Sequence, residues 1–191
     1  DSFLIISSKV GQTIYRNNQV FVTLANKYEK FFRPDVSEAS TWTSDAPFLL
    51  AQYINSTTWT DDQGNDNAGI GDPAMMMHLP TTKYSDSVVF QTPTISAGNG
   101  GFSNYANVIV HDSAIAKTTF DGQPIAEYKA TNRLKIPNST YTGFRVRSLT
   151  QGTHVVASDS GVTVNVYGYG SYDSYAWSGP IKVDAIPSTD T

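Results

Sequence analysis

The chain has 191 residues, enough to bury a sizeable core as one large β domain or two small ones, and it contains no cysteine. That composition excludes a disulfide framework, a thiolate zinc site and a cysteine nucleophile. The net charge of −4 comes from scattered acids with no run of Lys or Arg, which argues against nucleic acid as a partner, and no apolar run is long enough to insert in a membrane.

Eleven Tyr, nine Phe, fourteen Gly and nine Pro, with only 16% charged residues, lean towards strands and turns. The chain opens Asp1-Ser2-Phe3-Leu4-Ile5-Ile6 without an initiator Met or a basic leader, and reads as a piece of something longer. Short apolar or alternating runs then recur between turn clusters, in the pattern of antiparallel strands. Strands are expected at 3–6, 19–24, 48–54, 74–79, 87–91, 107–110, 144–147, 154–157 and 162–169. The stretch from Leu24 to Phe32 has some helical character but also continues an alternation through Tyr28, Lys30 and Phe32, and strand is the better reading.

Asn17-Asn18 and Asp121-Gly122 lie between apolar runs and supply the positive-φ residues that tight hairpins need. Residues 57–72 and 96–103 read as long surface loops rich in Asp, Asn and Gly. A weak internal repeat joins these signals. Residues 13–20 resemble 118–125 at an offset of 105, and the Ser44-Asp45 turn with its following strand resembles Ser158-Asp159 with its own at an offset of 114. The expected architecture is an all-β antiparallel sandwich of two related β units, roughly 1–55 and 104–180, connected by 56–103.

Catalytic motifs fare poorly. His78, His111 and His154 are the only bases that titrate near neutrality, and His111-Asp112-Ser113 alternates faces, so Asp and Ser cannot both serve the imidazole as a triad. The Gly69-Ile70-Gly71-Asp72-Pro73-Ala74 run matches a dinucleotide-binding pattern by letter, but it follows a polar loop instead of a strand. No enzyme is expected. Asp61, Asp62, Asn65 and Asp66 offer hard oxygen ligands of the kind Ca²⁺ takes, although a solvated loop explains them as well. Asn55-Ser56-Thr57 and Asn138-Ser139-Thr140 are glycosylation sequons, relevant only in a eukaryotic secretory pathway.

Five aromatic residues crowd the end of the chain: Tyr167, Tyr169, Tyr172, Tyr175 and Trp177. Gly168 and Gly170 loosen the strand and Asp173-Ser174 favours turning, so the segment from Tyr172 is expected to leave the sheet. There, Tyr172, Asp173, Tyr175 and Trp177, with Asn99 and Phe102 of a neighbouring loop, are expected to form an exposed contact patch. Tyr167 and Tyr169 fit core closure equally well.

Three segments together resemble the IgGFc-binding-protein N-terminal domain family: Ser44-Asp45-Ala46-Pro47-Phe48, Gly71-Asp72-Pro73 running to Pro80, and Val166-Tyr167-Gly168-Tyr169 running through Asp173-Ser174-Tyr175. The close departs from the family, with Ala176-Trp177-Ser178-Gly179 in place of Tyr-Pro-x-Gly, and the resemblance begins inside the family's domain. It implies an extracellular module of large secreted or cell-surface proteins, with adhesion to a host or prey cell-surface protein or glycan as the expected role and a structural spacer as the alternative. It names no ligand.

Overall fold

Where Ser2-Phe3-Leu4-Ile5-Ile6-Ser7 places apolar side chains at successive positions, the chain forms a strand with apolar residues on both faces, and this sets the plan of the first half. The computed structural model describes residues 1–34, 36–54, 69–93, 101–128, 131–180 and 182. In chain order its strands are β1 (Ser2–Ser7), β2 (Gln12–Arg16), β3 (Gln19–Leu24), β4 (Lys30–Arg33), β5 (Trp42–Ser44), β6 (Phe48–Tyr53), β7 (Met75–Met77), β8 (Ser85–Thr92), β9 (Ser103–His111), β10 (Thr119–Phe120), β11 (Gln123–Pro124), β12 (Thr131–Lys135), β13 (Tyr141–Leu149), β14 (Gly152–Gly170) and β15 (Asp173–Ser178). The fold is all-β, and every ladder is antiparallel.

The first unit packs the sheet β4-β1-β6-β7 against the sheet β3-β2-β5. Phe3, Ile5 and Leu50 from the first sheet meet Ile14 and Leu24 from the second, with Val36 closing the layer. The second unit repeats the scheme at larger scale. One layer holds β12-β13-β9 with the C-terminal part of β14 and β15, and the other holds β8 with the N-terminal part of β14 and β10-β11. Val108, Phe144 and Val164 of one layer face Val88, Phe120 and Val156 of the other.

The pairing order is the same in both halves, and so is the register. Leu4 opposite Ala51 recurs as Asn107 opposite Asn165, and Ile6 opposite Leu49 recurs as Ile109 opposite Thr163. Tyr53 opposite Met75 recurs as Tyr167 opposite Ala176. Both hairpin tips hold left-handed residues: Asn17 and Asn18 at φ 53° and 64°, and Asp121 and Gly122 at φ 50° and 77°. Segment 56–103 adds β7 to the first unit and β8 to the second.

Three expectations change. Leu24 to Phe32 is not one strand: β3 stops at Leu24, the chain turns with Tyr28 at φ 63°, and β4 returns. Residues 154–157 and 162–169 are not two strands but one, because β14 keeps pairing with β8 through a register shift between Ala157 and Val162. The corresponding point in the first unit breaks between β5 and β6, where Pro47 lacks an N–H to continue a ladder. The third is the end of the chain. The segment after Tyr172 does not leave the sheet but returns as β15, paired along β14 from Asp173 opposite Gly170 to Ser178 opposite Asn165.

Candidate functional site

The aromatic segment is best built from the hairpin that carries it. β14 ends at Gly170, Ser171 and Tyr172 make the turn, and Tyr172 takes φ 52°. Its backbone N–H donates to Gly69 O at 2.9 Å, while Gly71 N donates to Gly170 O at 2.8 Å, so the chain returning from the acidic loop is clamped to the tip. Tyr172 stands 72% exposed there, next to the exposed Asp173.

The next two rings lie differently. Tyr175 folds over Gly168, where a Cβ would come within 2.4 Å of the ring, and its hydroxyl donates to Asn104 Oδ1 at 2.6 Å. Trp177 stacks on Tyr175 at 4.5 Å, Phe102 meets it edge-on at 5.1 Å, and both Tyr175 and Trp177 pack against the core of the second unit. They are half-buried. The expected patch therefore divides: Tyr172 and Asp173 project at the hairpin tip, while Tyr175 and Trp177 pack along β15 against the second unit's core. Asn99 and the acidic positions Asp61, Asp62, Asn65 and Asp66 lie outside the described residues, as does the sequon at Asn55. Among the described residues, no three His, Asp or Glu side chains converge to hold a metal.

The three histidines are each engaged. His111 Nδ1 lies 2.8 Å from Ser113 Oγ and also accepts from Ser113 N, while the Asp112 carboxylate is taken by Lys135 and by Thr142 at 2.6 Å. The Lys135 ammonium and the Thr142 hydroxyl hold the Asp112 carboxyl below its usual range. His154 meets Asp121 Oδ2 at 2.8 Å and the Thr150 carbonyl at 3.0 Å. His78 follows β7, stacks on Phe3 at 5.8 Å, and bonds through Nε2 to Gln52 Oε1 at 2.8 Å; burial lowers its pKa to about 4.

The feature that the sequence did not disclose is a cleft of about 1200 Å³ between the two units. Its first wall is β5 and the turn into β6, from Trp42 to Phe48; its second is Tyr141 with the turn before it; His78, Leu79 and Tyr84 form part of its lining. One end is pinned where Asn138 Nδ2 donates to Asn17 O at 2.7 Å and Thr41 Oγ1 donates to the Pro137 carbonyl. Tyr84 and Tyr141 meet edge-to-face at 5.8 Å.

Polar atoms on these rings are unspent. Among the described residues, the Trp42 indole N–H and the hydroxyls of Tyr84 and Tyr141 have no hydrogen-bond partner, although burial and the neighbouring Tyr141 push the Tyr84 pKa up. With Gln52 accepting at Nε2, the neutral His78 ring presents Nδ1 as an acceptor. Desolvated aromatic walls with open donors and acceptors are suited to a ligand that offers both apolar faces and hydroxyls or amides. No motif could have found this site, because its walls are drawn from positions about forty to sixty residues apart.

Fold and cleft together define an all-β protein of packed antiparallel sheets with a lined space between its two units. The chain belongs to the IgGFc binding protein family, whose model matches residues 1–168. Neither a curated protein nor a solved structure matches it. Membership suggests an extracellular protein-binding or surface module.

Proposed function

We propose that this chain is an adhesin-type recognition module, not an enzyme, which holds a protein or glycan of a host or prey cell surface in the cleft between its units. The observation that carries the reading is the aromatic lining of the cleft, where Trp42, Tyr84 and Tyr141 present an indole N–H and two hydroxyls with no protein partner among the described residues. These groups stay within reach of water, and a ligand that covers the rings while replacing that water keeps their hydrogen bonds and gains the apolar contact. The family's general character supports an extracellular placement. Tyr172 and Asp173 at the hairpin tip supply a second, smaller contact surface.

The test is binding of the purified chain to immobilised surface glycans and cell-surface glycoproteins, with Tyr84→Phe as the diagnostic variant. Removing one hydroxyl while keeping the ring is expected to weaken binding about tenfold, the equivalent of about 1.4 kcal/mol, and to leave folding unchanged. Binding that Tyr84→Phe leaves intact would place the contact elsewhere, and Tyr172→Ala then tests the hairpin tip. A spacer role is the second reading. It is favoured by the way one unit rests directly on the other through Ile54, Met76 and Tyr167, and it predicts no binding across the whole panel.

A further inference from the structure

The outer face of the first unit's main sheet is apolar apart from Lys30 at its β4 edge and Ser2 at one end. Leu4 and Ile6 on β1, Phe32 on β4, Leu49 and Tyr53 on β6 and Met75 on β7 share it, as the register requires. Leu49 is 55% exposed, Phe32 56% and Met75 49%. Contiguous exposed apolar area of this kind marks an interaction surface.

The second unit shows how the equivalent face is covered. Its counterparts of Leu49, Ala51 and Tyr53 are Thr163, Asn165 and Tyr167, exposed by only 4%, 4% and 8%. The cover comes from the first unit, whose Ile54 and Met76 pack with Tyr167, while Ala74 lies against the same cluster. Ser178 Oγ donates to the Met77 carbonyl along this seam. The positions that match Ile54, Ala74 and Met76 in the second unit are Gly168, Tyr175 and Trp177. Tyr175 and Trp177 are half-exposed rings, stacked on each other at 4.5 Å in the β14–β15 hairpin. One end of the chain thus bears the uncovered face, and the other bears the element that, in the chain's own internal arrangement, covers such a face.

We infer that the outer face of β4-β1-β6-β7 is an interface for a second copy of this chain, stacked head to tail through that copy's β14–β15 hairpin. Edge-to-edge pairing of β4 with itself is a worse solution. It would set Lys30 against Arg33 of the other copy, and neither residue has an ion-pair partner among the described residues. The incoming hairpin instead brings the exposed Asp173 towards a face whose edge carries Lys30. A contact between two different patches does not close on itself, so the assembly is open-ended.

Sedimentation of the intact chain from micromolar to near-millimolar concentration tests this. The weight-average mass is expected to rise from the 20.8 kDa monomer and to pass the dimer without a plateau. Leu49→Asp, in the middle of the face, is expected to hold the mass at the monomer value. Val20→Asp, at an exposed position on β3 away from that face, should assemble as the parent does, and circular dichroism confirms that both variants are folded. A parent that stays monomeric throughout, a plateau at the dimer, or a folded Leu49→Asp that assembles unchanged would each overturn the inference.

Discussion

The two units share a pairing scheme and differ in what they bury. In the second, β14 is buried on both faces, with Val162, Val164 and Val166 in its own core and Thr163, Asn165 and Tyr167 on the other side, where Tyr167 packs against Ile54 and Met76 of the first unit. In the first, the outer face of β6 buries Ala51 but leaves Leu49 exposed, although it is the more apolar of the two: Leu49 and Ala51 stand where Thr163 and Asn165 stand. Burial and polarity run opposite to the usual partition of side chains. The difference teaches that stability is concentrated in the second unit, while the first carries surface whose stabilising partner is another molecule.

The largest expected effect separates the two cores at matched positions. Phe144 on β13 and Phe31 on β4 occupy the same place opposite their central strands, but Phe144 is 1% exposed and Phe31 is half-buried. Phe144→Ala should cost about 3–5 kcal/mol in a denaturant titration and Phe31→Ala less than half as much. Equal losses would mean that the first core is as tight as the second.

The intermediate effect is pH-dependent and belongs to the first unit. His78 has its pKa lowered by burial to about 4, against 6.5 for a free side chain. The unfolded chain therefore takes up the proton first. His78 contributes full stability above pH 6.5, and that contribution drains away as pH falls through 6.5 towards 4, by up to about 3 kcal/mol, somewhat less because the ring is not fully covered. Unfolding free energies at pH 7 and pH 4.5 should differ in the parent and converge in His78→Gln. Asp45 and Asp112, held low chiefly by hydrogen bonds from Lys9 and Lys135, act only in a separate window, below their ordinary pKa of 3.8.

The smallest effect compares the hairpin tips. Asn18 and Gly122 both take positive φ, and no atom lies within 4 Å of where a Cβ on Gly122 would sit. Gly122→Ala should thus cost backbone strain alone, about 1 kcal/mol, and Asn18→Ala about as much. A thermal shift larger than that at either tip would point to lost contacts rather than strain.

Much of this was legible in the sequence. Asn17-Asn18 and Asp121-Gly122 announced their hairpins through φ preferences that few other residues share. The failures have a common cause. Ser158-Asp159-Ser160-Gly161 carries turn chemistry and was read as a break, but β8 pairs with β14 on both sides of it and tertiary pairing overrides local preference. The run from Ser171 to Trp177 was misjudged the same way, since a two-residue turn sufficed and the rings then returned to the sheet. The cleft was invisible because Trp42, Tyr84 and Tyr141 meet only after both units have folded and docked.

The continuity of β14 also governs how the molecule opens. One strand of nineteen residues runs through both layers of the second unit, bonded along its length to β8, β9, β10 and β15. Its amides cannot be released in part without unravelling several partners, so hydrogen exchange there should report a single cooperative event close to global unfolding. In the first unit the matching path is cut between β5 and β6, and each piece is held by separate neighbours. The β2-β3-β5 layer can therefore exchange as a subunit of its own, with protection falling first in the half that bears the uncovered face.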